Sequence, residues 1–378
     1  VGSGTLLSGI CAGLGVSNSL YEGVAKDSEL IVIKLGTIDG KYNNAYYYVA
    51  RDYARKKARE LERPLIINTS VGTNSDVGFI NRATQSTIWY QYGECEIAGI
   101  GNEGNTQTHA SGKISAEGET QTVEIEIEEE EEFLKIELWI CRPDRVNIKI
   151  ISPTGEESKD VGLGYYKNES GIFNFENTTY TVFYVFPTSY SGQEFITINL
   201  YNASPGIWKI NLTGVYINSG CYNVYLPNRS LINQNTRFLE PDPFYTVNFP
   251  TVDRNIFTVG AYDMINNSMW PPSSRGPNIR NIQKPNIVAP GVNIISAYPH
   301  NRYGNITGTS AAAAVTSGVA ALFLQYVTQN NQYKRQGFTQ SIYSFFQLGA
   351  DREDNIQYPN FIYGYGLLNA RKIFEEFR

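Results

Sequence analysis

The 378-residue sequence is poor in charge, with 18% Asp, Glu, Lys and Arg together, and it holds no basic block able to neutralise a phosphate backbone. Nucleic acid is thereby excluded as a partner. No apolar run approaches the roughly 18 residues of a membrane span. The N-terminus lacks a basic segment followed by an apolar stretch and a small-residue cleavage site, so no signal peptide is read. Cysteine is scarce. Cys11, Cys95, Cys141 and Cys221 are widely spaced with no C-x-x-C pair, which argues against a zinc site and for reduced, mostly buried thiols. No metal and no cofactor are expected. Histidine is scarcer still, only His109 and His300. What is present, 42% hydrophobic residues and a net charge of -6, is the composition of a soluble globular protein of two domains, or of one large domain with an insertion.

Residues 1–110 alternate helical and strand patterns. Residues 5–14 read as a small-residue buried helix, 30–35 as a β-branched strand, 44–61 as a helix, and 65–68 and 96–100 as strands. This order predicts an α/β domain with a parallel sheet, whose ligand loops lie at the carboxyl ends of the strands. Over 111–244 the texture changes to short period-two strands at 123–128, 135–140, 146–151, 180–186, 195–200, 208–213 and 221–226. These predict an inserted antiparallel β-sandwich of jelly-roll type. Trp139 and Trp208 belong to its core rather than to a carbohydrate-binding face. The run Glu128 to Glu132 is either a calcium or basic-partner site or a solvated edge that blocks strand pairing. Over 245–378 the α/β texture returns, with strands at 256–261 and 286–291 and an alanine-rich helix at 310–325.

Gly308-Thr309-Ser310 places a serine at the start of that helix, where free backbone N–H groups and the helix dipole face outward. A serine hydroxyl is a weak nucleophile. Hydrolysis needs an adjacent base, a group that orients the base, and donors for the developing oxyanion. Asn102, in Gly101-Asn102-Glu103-Gly104, offers a side-chain amide after a strand, suited to that last role.

With these segments in order, the chain resembles the subtilisin-like serine proteases, the subtilases (peptidase S8). Residues 4–13 look like the helix bearing the family's histidine. Ile67-Asn68-Thr69-Ser70-Val71-Gly72 looks like the substrate-binding strand, with Ser70, Val71 and Gly72 as its substrate-binding residues, and residues 99–104 like the oxyanion loop. Residues 284–291 and 308–318 look like the approach to the serine and its helix, while residues 364–370 match the closing helix. The insertion, the leucine pair after Gly4-Thr5, and the stretch from Gly101 to His109 are similar to the Csp germination proteases of clostridial spores. That resemblance implies a spore protein made with a prodomain that can stay bound. It also implies a role in activating the zymogen of a cortex-hydrolysing enzyme or, in degenerate members, a pseudoprotease role in germinant signalling.

The departures carry equal weight. Aligned on Gly4-Thr5, Gly9 and Gly13, Ser3 stands at the family's histidine, and a serine hydroxyl is no general base at neutral pH. His109 is expected to be structural or superficial, and His300 to be exposed in a turn. The family's aspartate would lie before Val1, and the abrupt start suggests a fragment or processed product. Ala314 and Val315 replace a proline and a histidine of the family pattern. Two functions follow. One is a pseudoprotease whose groove binds a prodomain, a missing N-terminal segment or a partner protease. The other is a working or weakly working endopeptidase in which Ser3 is an engineered, inactivating substitution of the catalytic histidine or another residue supplies the base. Ser310 as nucleophile, Ser3 at the histidine position and Asn102 in the oxyanion hole are the candidate site.

Overall fold

The computed structural model describes residues 2–38, 41–42, 44–75, 77, 92–162, 166–189 and 191–377. The chain opens with α1 (Ser3–Ala12), a short antiparallel pair β1 (Thr37–Ile38) and β2 (Lys41–Tyr42), and α2 (Asn44–Glu60). β3 (Leu65–Thr69) and β4 (Glu94–Gly99) then run parallel, Leu65 opposite Glu94 and Thr69 opposite Ala98. Ten antiparallel strands follow: β5 (His109–Lys113), β6 (Thr120–Ile127), β7 (Glu131–Ile140), β8 (Arg145–Ile151), β9 (Tyr166–Phe173), β10 (Thr178–Val185), β11 (Glu194–Ala203), β12 (Gly206–Tyr216), β13 (Cys221–Tyr225) and β14 (Arg237–Phe238). They form two sheets, ordered β5-β13-β7-β11-β10-β9 and β14-β6-β12-β8. Period-two alternation turns one face of each inward. Ile125, Ile148, Ile198, Trp208 and Ile210 meet there in one apolar core, each such side chain contributing about 1.5–3 kcal/mol.

β15 (Phe257–Asp263) returns to the parallel sheet beside β4, with the short antiparallel β16 (Ser268–Met269) at its end, and β17 (Ile287–Pro290) extends it. The hairpin β18 (Ile294–Tyr298) and β19 (Arg302–Ile306) leads to α3 (Thr309–Gln329), followed by α4 (Thr339–Leu348) and α5 (Ala370–Glu375). Ala312, Ala313, Ala320 and Phe323 of α3 pack under Ile97, Val259 and Ala289 of the sheet. Ala311 and Ala314 meet Leu7 and Ile10 of α1. Small residues let α3 lie close to both neighbours. This helix alone among the described residues has the length and hydropathy of a membrane span, and 67% of its apolar window is buried inside the fold.

The molecule is thus mixed α/β, a parallel sheet with several antiparallel sheets. Three expectations are corrected. Residues 30–35 form no strand, and Leu30, Ile31, Val32 and Ile33 are all exposed. β-branched residues favour an extended chain, but a ladder needs a neighbour, and none lies alongside among the described residues. Residues 364–369 are a lead-in rather than the closing helix, with Asn369 Oδ1 capping α5 through the Lys372 N–H. Cys141 and Cys221 are not free thiols but a disulfide, with Cα atoms 5.5 Å apart. Tyr222 lies opposite Ile140, so the next pair in register sets the two cysteines face to face. No spacing in the sequence reveals that register.

Candidate active site

The carboxyl end of β4 meets the first turn of α3. A Cβ on Gly99 would lie 2.5 Å from the carbonyl carbon of Thr309, so glycine alone permits the approach. Asn102 is fixed there. Its Oδ1 accepts from the Thr309 backbone N–H at 3.1 Å and from the Thr309 hydroxyl at 2.9 Å. The same hydroxyl oxygen accepts the Gly101 N–H at 3.3 Å. A backbone N–H only donates, so these bonds set the orientation of the carboxamide and leave the Nδ2 hydrogens for another acceptor. Ser310 follows, half-buried in the first turn of α3, where backbone N–H groups have no acceptor within the helix. Exposed Asn102 Nδ2 and the Ser310 N–H together are suited to an oxyanion or a carboxylate.

The loop holding Asn102 is braced from below. The Glu103 N–H donates to Ser274 Oγ at 2.9 Å, while its carboxylate accepts from Thr106 at 2.8 Å, Thr108 at 3.2 Å and Asn228 at 3.0 Å. Across the site, Ser70, Val71 and Gly72 leave β3 exposed, and Thr73 exchanges two backbone bonds with Phe249. Val71 and Gly72 make no backbone hydrogen bond among the described residues, which leaves an edge for an extended peptide to add a strand. Beneath it, buried Glu96 accepts from the Tyr47 hydroxyl, accepts from Thr69 at 3.0 Å, and pairs with Arg51 at 3.1 Å. Arg55 pairs with Glu94 at 2.7 Å. Burial pushes the Glu96 carboxyl above its ordinary value, against the pull of Arg51.

Ser3 is exposed at the first position of α1 and makes no hydrogen bond to Ser310 among the described residues. α1 itself is anchored: Cys11 Sγ donates to the Ala314 carbonyl at 3.3 Å, and burial pushes this thiol up to about 12. Such a thiol is no nucleophile near neutrality. His109 is far from a base's role. Its ring is buried in β5, Nδ1 lying 3.0 Å from the Asp242 carbonyl and Nε2 3.0 Å from Asn223 Oδ1, with the Tyr225 ring centred 4.6 Å away. Burial lowers its pKa and favours the neutral ring. His300 is exposed in the turn between β18 and β19. The structure therefore brings Ser310 and Asn102 together and gives Ser3 no part in the hydrogen bonding around them.

The acidic run resolves into a tied turn. Glu131 is buried and accepts from the Asn233 N–H at 2.8 Å and from the Thr236 hydroxyl, while Asn233 Nδ2 donates to the carbonyls of Glu129 and Glu130. Trp139 and Trp208 are fully buried, as core residues. Thr309 was not singled out in the sequence, although its place between Gly308 and Ser310 was the available signal. The anchor of Tyr47, Arg51 and Arg55 was legible in principle as a four-residue helical spacing facing Glu94 and Glu96.

Residues 228–366 match the sequence profile of the Subtilase family, peptidase S8. Serine protease AprX of Bacillus subtilis is 34% identical over 145 residues, 33% of this chain and 31% of that protein. The major intracellular serine protease of Bacillus subtilis is 48% identical over 48 residues, 13% of this chain and 15% of its own length. The chain thus spans under a third of the length of these relatives. The structure of the Clostridium perfringens CspB protease superposes with a TM-score of 0.90 at 24% identity, over 99% of this chain and 80% of that one, and so shares its fold. The matched span carries β15, β17 and the serine at the start of α3, so over residues 228–366 this chain is similar to the subtilase family.

Proposed function

We propose that this protein is a catalytically impaired subtilase, a pseudoprotease, whose groove between Ser70 to Gly72 and Asn102 holds an extended polypeptide. The observation that carries the reading is that no histidine stands beside Ser310 among the described residues. His109 has both ring nitrogens engaged in the insert, His300 sits in a hairpin turn, and the sequence resemblance sets Ser3 at the family's histidine position. Loss of one triad member leaves only the residual rate from oxyanion donors and binding, a fall on the order of a millionfold when the base goes. The occupant we infer is a prodomain or another N-terminal segment of a subtilase. Exposed Leu30 to Ile33 and the unshared edge of β3 support it, since such surface is normally covered by another strand. The shared CspB fold supports placement among spore germination proteins, with action through a partner protease, and supports reading the double sheet over 111–244 as a jelly-roll insert in a core formed by 1–110 and 245–378.

A second reading is favoured by one feature: the clamp of Thr309 on Asn102 is intact, so the oxyanion donors of a working enzyme are kept. An active endopeptidase would process a cortex-hydrolase zymogen through acylation of Ser310. A fluorophosphonate probe separates the two. The folded protein is expected to stay unlabelled, and Ser310→Ala to leave peptide binding unchanged. Stoichiometric labelling of Ser310 would establish the active reading instead.

A further inference from the structure

Arg280 stands on a core turn organised around one buried side chain. Asn278 Oδ1 accepts the backbone N–H groups of Arg280 and Ile282, each at 2.9 Å, and its Nδ2 donates to the Val252 carbonyl at 2.7 Å. Ile279 is buried in the cluster that holds Trp139 and Phe195 of the insert, so the residue after it is fixed at the seam between insert and core. There Arg280 is half-buried, and its Nε and Nη2 are both enclosed without a hydrogen-bond partner. These two nitrogens share one edge of the guanidinium and present parallel N–H bonds, the fork that matches a carboxylate. Buried donors without an acceptor are rare in a native protein. No carboxylate pairs with Arg280 among the described residues. Burial holds its pKa below the ordinary arginine value, the charge of buried Asp253 opposing that shift and the charge of Arg142 adding to it. Arg142, two residues beyond β7, is exposed and spends one N–H on the Ser191 carbonyl at 3.4 Å. Two arginines of this seam therefore share a single acid.

We propose that the open fork of Arg280 is a binding site for a small carboxylate monoanion at the seam of insert and core. One carboxylate oxygen accepts from Nε and the other from Nη2, and Arg142 adds its attraction. One negative charge balances two arginines and Asp253. Phosphate, which is not planar and carries more than one charge at neutral pH, would set its surplus against Asp253. The site is independent of what the groove at Ser70 to Gly72 holds.

Acetate is the probe. The whole 378-residue chain is titrated with sodium acetate against sodium chloride at constant ionic strength, and binding is read from broadening of the acetate methyl NMR signal and from the unfolding midpoint. Saturable broadening is expected, with a midpoint that rises with acetate and not with chloride. Arg280→Lys keeps the charge but loses the fork, and should weaken acetate binding at least about tenfold. Arg280→Met should abolish it. Because that change removes an unpaired charge, it should leave the midpoint in chloride at or above the wild-type value. No saturable acetate response, or an equal response in Arg280→Met, overturns the site. Phosphate binding as tightly as acetate overturns the choice of a carboxylate. A lower midpoint for Arg280→Met in chloride would mean that the guanidinium is already paired within the fold, and would overturn the proposal as well.

Discussion

At the scale of single residues, Thr309 does more for the site than its neighbour Ser310 suggests. One hydroxyl accepts the Gly101 N–H and donates to Asn102 Oδ1, so it joins the end of the β4 loop to the start of α3. Thr309→Val keeps the shape and removes both bonds. The expected cost is about 1–2 kcal/mol in denaturant unfolding, together with weaker peptide binding as Asn102 loses its orientation. A variant with unchanged stability and binding would show that the backbone N–H alone holds the asparagine. Lys284 offers a pH-dependent counterpart. Its ammonium is buried, donating to the Ile256 carbonyl and Thr258 Oγ1, each at 2.7 Å. Burial pushes its pKa down to about 7 from the ordinary 10.5, Asp253 opposing the shift. Between those values the native amine is neutral while the unfolded chain's is protonated, so the unfolded state binds more protons. The neutral lysine's contribution is therefore complete above the unfolded value and is lost as pH falls to about 7. The difference in unfolding free energy between the wild type and Lys284→Met should rise by about 1.4 kcal/mol per pH unit across that window. A flat difference would mean that the lysine is charged when folded.

At the scale of elements, the chain's own periodicities gave away most of what was built from local pattern. The period-two run from Val123 lies within β6 as far as Ile127, and the helical spacing after Asn44 became α2, because one face of each has a core to meet. What stayed hidden depends on partners distant in sequence. Residues 30–35 have strand chemistry without a ladder, and β9 and the β18–β19 hairpin escaped notice because their alternation is weak. The candidate site divides the same way. Ser310, Asn102 and the exposed Ser70 to Gly72 were legible because each sits in a short glycine-marked turn. Asn248, which lies against Gly72 and Gly101, was not, since it gains its place through its own bond to the Ile100 carbonyl and through Phe249 pairing with Thr73, both partners distant in sequence. The disulfide is the sharpest such case. Cys141 and Cys221 are 80 residues apart and meet through the register of β7 with β13. Closing a loop of that length contributes about 4 kcal/mol in the chain-entropy account. Mass spectrometry of a non-reduced digest should return the linked peptides, and Cys141→Ser should lower the unfolding midpoint in oxidising buffer. Two alkylatable thiols at these positions in the oxidised, folded protein would refute the pairing.

At the scale of the whole molecule, the double-sheet unit and the parallel-sheet core share a third apolar cluster rather than hanging on linkers. Trp139 and Phe195, their rings centred 4.3 Å apart on β7 and β11, pack in one cluster with Tyr225, Ile100, Val247 and Phe249. Phe249 reaches further, its ring 5.8 Å from that of Tyr47 on α2, and it is the residue that pairs with Thr73 below the groove. The insert therefore bears on the groove through this packing as well as through Asn228, which donates to Glu103 of the Asn102 loop. Trp208 provides the contrast, buried wholly within the double sheet with the Phe173 ring 5.2 Å away. Trp139→Ala and Trp208→Ala each remove a large buried side chain, at about 3–5 kcal/mol. Their consequences should differ in kind. Trp139→Ala should split a single calorimetric transition in two and weaken peptide binding, because the support behind Phe249 and Asn248 is lost. Trp208→Ala should lower the stability of the double sheet while peptide affinity, measured below the first transition, stays at the wild-type value. Equal loss of peptide affinity in both variants would mean that the groove responds to the stability of the insert as a whole, and the Trp139 cluster would hold no privileged position between the two units.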